Sequence, residues 1–190
     1  MVKIIIVYLA LILMFSSCYG WMAGKDDVFI NNRNDNFLNQ IKLNGYYYSR
    51  YNQNYFKLYF FYQNGVVFTP SVVEGTLKDA EKYIKDTTLR KVVDLKHPIR
   101  HIDLTNIDDS KQYKDNWGIY KITNDKIIYE FWVDNGENRA AVFIRKGEIL
   151  DNKTIVLYGN MYQGKMNDNV DTLRFRQCDC KPDSTNNFIK

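Results

Sequence analysis

The stretch NWGIYKITNDKIIYEFWV, residues 116 to 133, decides how this chain folds. Its centre, Asn124-Asp125, is a two-residue turn signal, because Asn and Asp tolerate the positive φ angles that a tight hairpin demands. A turn there sets Ile122 opposite Ile127, Tyr120 opposite Tyr129 and Gly118 opposite Phe131, all on one face. That face carries no charge. The other pairs Ile119 with Glu130 and Trp117 with Trp132, and it also holds Lys121. A slip of one residue would exchange the two faces, so the register is strongly specified. Alternation assigns the uncharged face to a core and the charged one to solvent or a wet cavity.

The same period-two habit extends in both directions. Residues 41 to 51 (IKLNGYYYSRY) and 55 to 62 (YFKLYFFY) are aromatic, strand-forming runs separated by Asn52-Gln53-Asn54, and the Asn64-Gly65 pair turns the chain into a third strand over Val66 to Thr69. Downstream, short runs at Arg139 to Arg145, Glu148 to Leu150, Thr154 to Gly159 and Thr172 to Gln177 are each broken by Gly, Asn or Asp. In the last of these Leu173 and Phe175 point one way and Arg174 and Arg176 the other. One segment differs: Leu77, Ala80, Tyr83 and Ile84 recur at helical spacing, predicting a helix within Glu74 to Val93. Lys96 to Tyr113 reads as an irregular connection with a short strand near Ile99 to Leu104. The expected fold is all-β and mainly antiparallel, a barrel or sandwich of about eight or nine strands with one inserted helix. It occupies residues 37 to 180, with 181 to 190 as a C-terminal tail.

Composition narrows the function classes. With 45% hydrophobic and 25% charged residues and 3 prolines among 190 residues, disordered, collagen-like and solenoid chains are excluded. A net charge of +4 without a Lys/Arg block gives no nucleic-acid footprint. Gly-x-Ser-x-Gly and Gly-x-Gly-x-x-Gly do not occur, so the chain carries no nucleophile elbow or dinucleotide fingerprint, and no cofactor is expected. An enzyme is the least favoured class.

Lys3 followed by the apolar run Ile4 to Phe15 is too short for a bilayer crossing, which takes about 20 residues, and has the form of a secretory signal peptide over residues 1 to 17. Its end, Phe15-Ser16-Ser17-Cys18, resembles a bacterial lipobox, with Phe15 where Leu is common. Relaxed versions are familiar from Bacteroidetes-type lipoproteins, and the Asn-, Lys-, Ile- and Tyr-rich composition suits an AT-rich genome of that kind. The resemblance implies that Cys18 becomes the acylated N-terminus. Multiple acyl chains, at about 0.8 kcal/mol per buried CH₂, would hold the protein on a membrane. Tyr19, in place of the Asp that retains lipoproteins in the inner membrane, implies the outer membrane, facing either the periplasm or the cell surface. The alternative is ordinary secretion with cleavage after Gly20 or Ala23. Residues 18 to 36, polar and without periodicity, read as a tether.

A second resemblance concerns the domain. Gly45-Tyr46-Tyr47 on the first strand and a basic residue on the last are similar to the lipocalin motif, Gly-x-Trp and a late Arg that packs over the Trp. Tyr47 takes the Trp position, and Arg174 or Arg176 would serve as the Arg. A Trp-Gly-x-Tyr strand followed by Ile-x-Tyr-Glu-x-Trp also resembles small Bacteroidetes lipoproteins of unassigned function, over residues 40 to 177. Both imply a calycin-type barrel.

Candidate site residues follow from the aromatics. Tyr47, Phe60, Tyr120, Tyr129 and Phe131 are expected to line any ligand site, with Gly118 leaving room beside Phe131. Such a site suits a small apolar or sugar-like ligand. The competing expectation is a core filled by those rings, in an envelope or cell-surface interaction protein that meets other envelope components through its outer face. Glu130 reads either as a carboxylate in an aromatic cleft or, with more weight, as a solvated residue beside Lys121. His97 and His101, separated by Pro98, read as loop residues; no metal site is expected from them. Cys178-x-Cys180 has a structural or incidental reading ahead of a redox or soft-metal one.

Overall fold

The computed structural model describes residues 28–32, 40–50, 53, 55–70, 73–85, 107–134, 140–162, 165–179 and 181–189. In chain order the strands are β1 (Gly45–Arg50), β2 (Tyr55–Phe61), β3 (Val66–Phe68), β4 (Val73–Glu74), β5 (Trp117–Thr123), β6 (Lys126–Asp134), β7 (Ala140–Asp151), β8 (Thr154–Tyr162), β9 (Lys165–Met166) and β10 (Asp171–Gln177). Two helices, α1 (Leu77–Lys85) and α2 (Ile107–Ser110), and a 3₁₀ turn at Lys114–Asn116 lie between β4 and β5. Each barrel strand is antiparallel to the next, and β10 returns to pair with β1, which also pairs with β2. The result is a closed up-and-down barrel of eight strands. The short β4 and β9 hang on β2 and β8. Closure leaves no barrel strand with an unpaired edge.

The deciding hairpin has the expected register, with Gly118 opposite Phe131, Tyr120 opposite Tyr129 and Ile122 opposite Ile127. Asn124 takes φ 56° at the turn. Two expected runs, 139–145 and 148–150, are one strand. Gly147 does not break β7; a Cβ there would lie 2.2 Å from the Val156 carbonyl oxygen and 2.9 Å from the Leu157 side chain, so its bare backbone admits β8. The helix covers Leu77 to Lys85, within the expected span, and buries Ala80, Tyr83 and Ile84. It opens on a capping box, in which the Asp79 carboxylate accepts the Thr76 N–H at 2.7 Å and the Thr76 hydroxyl at 2.8 Å. The strand expected near 99–104 lies outside the described residues.

Two cores result. The inner one fills the barrel with Tyr47, Tyr59, Phe61, Val67, Tyr120, Ile122, Ile127, Tyr129, Phe131, Ile155, Leu157 and Leu173. Eight strands enclose a space just wide enough for side chains to fill. The second lies on the outer wall, where Tyr46, Leu58, Phe60, Val66, Phe68, Trp117 and Trp132 are covered by α1, Ile107, Phe29 and the C-terminal Phe188 and Ile189. This corrects the expectation that the hairpin's second face meets water. Trp117, Ile119, Glu130 and Trp132 on that face are all buried, because segments remote in sequence lie over them.

The C-terminal segment 181–189 folds back along the barrel instead of trailing away. Lys181 donates to the carbonyls of Leu43 at 2.6 Å and Phe61 at 2.5 Å, with its Nζ 4.2 Å from the centre of the Tyr62 ring. Tyr62 donates to the Pro182 carbonyl at 2.8 Å, and Asp183 pairs with Lys111 at 2.9 Å. Residues 41–44 meet the β7–β8 turn at the same end, where the Lys42 N–H reaches the Asn152 carbonyl at 3.1 Å.

Candidate functional site

Of the five residues expected around a ligand, the structure brings four into the barrel and leaves one outside. Tyr47 and Tyr120 sit toward the end closed by 41–44. The Tyr47 hydroxyl accepts the Lys42 N–H at 3.0 Å and donates to the Asn152 carbonyl at 2.9 Å; Tyr120 donates to the Tyr62 carbonyl at 2.7 Å. Their rings pack edge-on against Phe61, at 5.5 Å and 5.0 Å between centroids. Both are structural plugs. Tyr129 and Phe131 stack at 4.8 Å nearer the opposite end. Phe60 belongs to the outer wall: Tyr47 pairs with Tyr59, which puts Phe60 on the other face of β2 against Phe68 and Tyr46. Nor does Gly118 leave room, since a Cβ there would come within 2.7 Å of the Tyr129 ring.

The open end of the barrel holds a pocket of about 190 Å³ whose walls include Tyr129, Phe131, Lys57 and Thr69. Lys57 is an inward-facing cation with its Nζ 5.5 Å from the Tyr59 ring centre and 5.7 Å from that of Phe131. Thr69 and Tyr129 share a hydrogen bond of 2.9 Å. Burial pushes the Tyr129 hydroxyl up to about 12, against the pull of Lys57, and raises that of Tyr59 as well. These hydroxyls stay protonated at neutral pH, so neither is poised as a base. Beside them Arg145, 4% exposed, pairs with Asp171 at 2.5 Å. It also donates to the carbonyls of Tyr158 at 2.9 Å and Leu157 at 3.1 Å. Because the β7–β8 ladder shifts register between Arg145 and Gly147, the guanidinium occupies carbonyls that the ladder leaves open. Its role is to stitch the bulge.

A larger cavity, about 950 Å³, is an open groove on the outside of the barrel where β1, β2 and β10 meet the start of α1. Tyr48, Phe56 and Leu77 form an apolar floor, and Arg50, Lys78 and Arg174 stand on its rim. The sheet register explains the grouping: Tyr48 lies beside Arg174 on β10, and Arg50 beside Phe56 on β2. None of these residues was singled out from the sequence for a site. The visible signal was the outward pair Arg174 and Arg176, but the position of β10 against β1 is set by barrel closure. The late Arg of the lipocalin pattern is accordingly absent in space: Arg174 and Arg176 face outward, Arg176 pairing with Glu81, while Tyr47 packs on Phe175 at 5.3 Å.

Glu130 corrects the favoured reading of a solvated carboxylate. It is 1% exposed and accepts the backbone N–H of Ile30 at 2.7 Å and of Asn31 at 3.1 Å, together with the Asn31 side-chain amide. Phe29 lies on Trp132 with centroids 4.0 Å apart. Residues 28–32, part of the stretch read as a tether, are thus held on the barrel wall. Cys178 is disulfide-bonded. Cys18, Cys180, His97 and His101 lie outside the described residues.

The class defined by these features is a small eight-stranded up-and-down barrel with a ring-filled interior and a layered outer wall. Comparison with known proteins takes this no further: no family model, no curated protein and no solved structure matches the chain.

Proposed function

We propose that this chain is a lipid-anchored, extracytoplasmic lipoprotein of the outer membrane whose barrel is a rigid scaffold and whose outer wall contacts other envelope components. One observation carries the second half. The interior is occupied by side chains, with about 190 Å³ left at the mouth, whereas about 950 Å³ is open on the outer wall. Small-molecule sites run from about 300 to 1,000 Å³. The lipid anchor is supported by the Ile4 to Phe15 run ending in Ser16-Ser17-Cys18. The disulfide at Cys178 suits an oxidising compartment outside the cytoplasm.

A small apolar or sugar-like ligand held in the barrel is the second reading, favoured by Tyr129 and Phe131 lining the mouth. Two measurements decide. Intact-mass analysis of the membrane fraction is expected to give a diacyl or triacyl Cys18 terminus; a soluble chain starting at Trp21 or Gly24 overturns the anchor. A hydrophobic fluorescent probe is expected to leave the wild-type barrel unlabelled. Bright binding that Tyr129→Ala alters would favour the internal ligand instead.

A further inference from the structure

We propose that the outer groove is a binding site for an acidic saccharide, with a sugar ring on its apolar floor and the anionic substituents held by Arg50, Lys78 and Arg174. The proposal rests on the reading of the outer wall as the working surface and names what that surface takes.

Three observations converge on it. The first is charge. All three cations are exposed, and none makes an ion pair among the described residues, whereas Arg176, next along the same face of β10, is paired with Glu81. Like charges gathered at one cleft repel one another, and a cleft with low-dielectric walls strengthens their field. The described residues lining the groove include no Asp or Glu, and the nearby Asp79 carboxylate is committed to capping α1 through Thr76. An anionic group therefore meets uncompensated positive charge. Two of the three cations are guanidiniums, whose planar fork matches a carboxylate, sulfate or phosphate.

The second is the floor. Tyr48 is half-buried and meets Phe56 edge-on at 6.0 Å, and Leu77 extends the apolar surface. Arg50 lies over the buried Phe56 ring, 5.7 Å from its centre, so Tyr48 presents the open ring, a flat apolar surface with a polar tip that suits the C–H face of a pyranose bordered by hydroxyls. The third is the remaining polar lining. Gln53 and Thr172 bring neutral donors and acceptors to the groove, both exposed. An acyl chain would have no use for them, while the hydroxyls of a sugar would. The open shape of the groove also suits an extended chain of sugar units more than a lipid tail, which needs enclosure from water.

The test uses the purified full chain, acylated or not, so that failure of the anchor and failure of the groove are read separately. Trigalacturonate and a sulfated heparin tetrasaccharide serve as probes, against neutral trigalactose, inorganic phosphate, and phosphatidylcholine vesicles containing one part in five phosphatidylglycerol. Expected is calorimetric binding of at least one acidic saccharide, no binding of trigalactose, and weakening with added salt. Arg174→Ala and Arg50→Ala, both at exposed positions, are expected to keep the fold and to weaken binding about five- to tenfold each, the scale of one ordinary net hydrogen bond. Lys146→Ala, on the exposed face of β7, should have no effect. Equal binding of trigalactose removes the role of the cations and overturns the proposal. Binding of phosphate alone as tightly as the saccharides, or of the vesicles more tightly, also overturns it, by assigning the groove to a free anion or a lipid headgroup. So does failure of both acidic saccharides to bind.

Discussion

Phe60 and Phe61 are neighbours on one strand, equally inaccessible to water, and they belong to different cores. Phe61 looks into the barrel, where its neighbours come from strands that alternate as it does. Phe60 looks outward, where Phe68 and Tyr46 flank it within the sheet and α1, Ile107, Phe29, Phe188 and Ile189 build up the cover. The inner core is made by a repeating rule, the outer one by particular segments arriving from elsewhere. The difference teaches why the described barrel is so rich in aromatics: its tyrosines and phenylalanines supply two buried layers instead of one.

The largest expected effect tests whether the two layers are equivalent. Phe60→Ala and Phe61→Ala should each cost about 3 to 5 kcal/mol, the range for a buried ring in a core. Urea titrations with equal m-values measure both. A cost for Phe60→Ala of the size seen at exposed positions would break the comparison and reduce the outer layer to loose cover. Comparable losses would show that the outer wall is as much a core as the interior, and that the covering segments are part of the folding unit.

The same contrast marks how far the sequence could be read. The hairpin register, the uncharged inward face and the inserted helix were all legible, because alternation and helical spacing are local properties. The two faces of β10 followed the same logic, whereas barrel closure, the pairing of β10 with β1, was implied by the lipocalin resemblance and by no local pattern. What could not be read was the outer wall. Trp117 and Trp132 look like solvent-side residues while only the hairpin is considered, since Lys121 and Glu130 share their face. Nothing in residues 116 to 133 announces that Phe29 will lie on Trp132 or that Glu130 will hold the backbone of Ile30. Phe60 was misplaced for a related reason: assigning it to the site needed the register of β1 against β2, and the Asn52-Gln53-Asn54 loop does not fix that register. Arg50, Lys78 and Arg174 come from three elements that only closure of the barrel brings together.

A smaller effect is expected where the N-terminal strap meets the wall. Both Glu130 carboxylate oxygens accept hydrogen bonds, one from Ile30 and the other from Asn31. Glu130→Gln keeps the shape but turns one acceptor into an NH₂ donor that must face an N–H. We expect a loss of about 1 to 3 kcal/mol, the cost of removing a charged acceptor from buried donors. Amide exchange at Ile30 and Asn31 should speed up while the inner strands keep their protection. Unchanged exchange at those two amides would show that Phe29 on Trp132 holds the strap without the carboxylate. The result would sharpen the comparison by separating the polar attachment of the outer layer from its apolar packing.

The smallest effect is a pH dependence, and it pits one outer attachment against the tyrosines. Burial beside Tyr62 pulls the Lys181 ammonium down to about 8 from an ordinary 10.5. In the unfolded chain that lysine keeps its proton to about pH 10.5, so between pH 8 and 10 the unfolded state binds more protons than the folded one. Through this lysine stability rises with pH from about 8 to about 9, on the order of 1 kcal/mol, and the cost of burying the cation is felt in full only below it. Above about pH 9 the net sign reverses, because five tyrosines outweigh one lysine. Tyr46, Tyr47, Tyr59, Tyr62 and Tyr129 all have hydroxyls pushed upward by burial, so they ionise first in the unfolded chain and draw it away from the folded state. Denaturation midpoints should thus pass through a maximum near pH 9. Lys181→Met should remove the rise while leaving the fall, because a neutral chain of similar length fills the same space under Tyr62 without a proton to lose. A rise that survives the substitution would place its origin in another group and leave the C-terminal segment with no share in it.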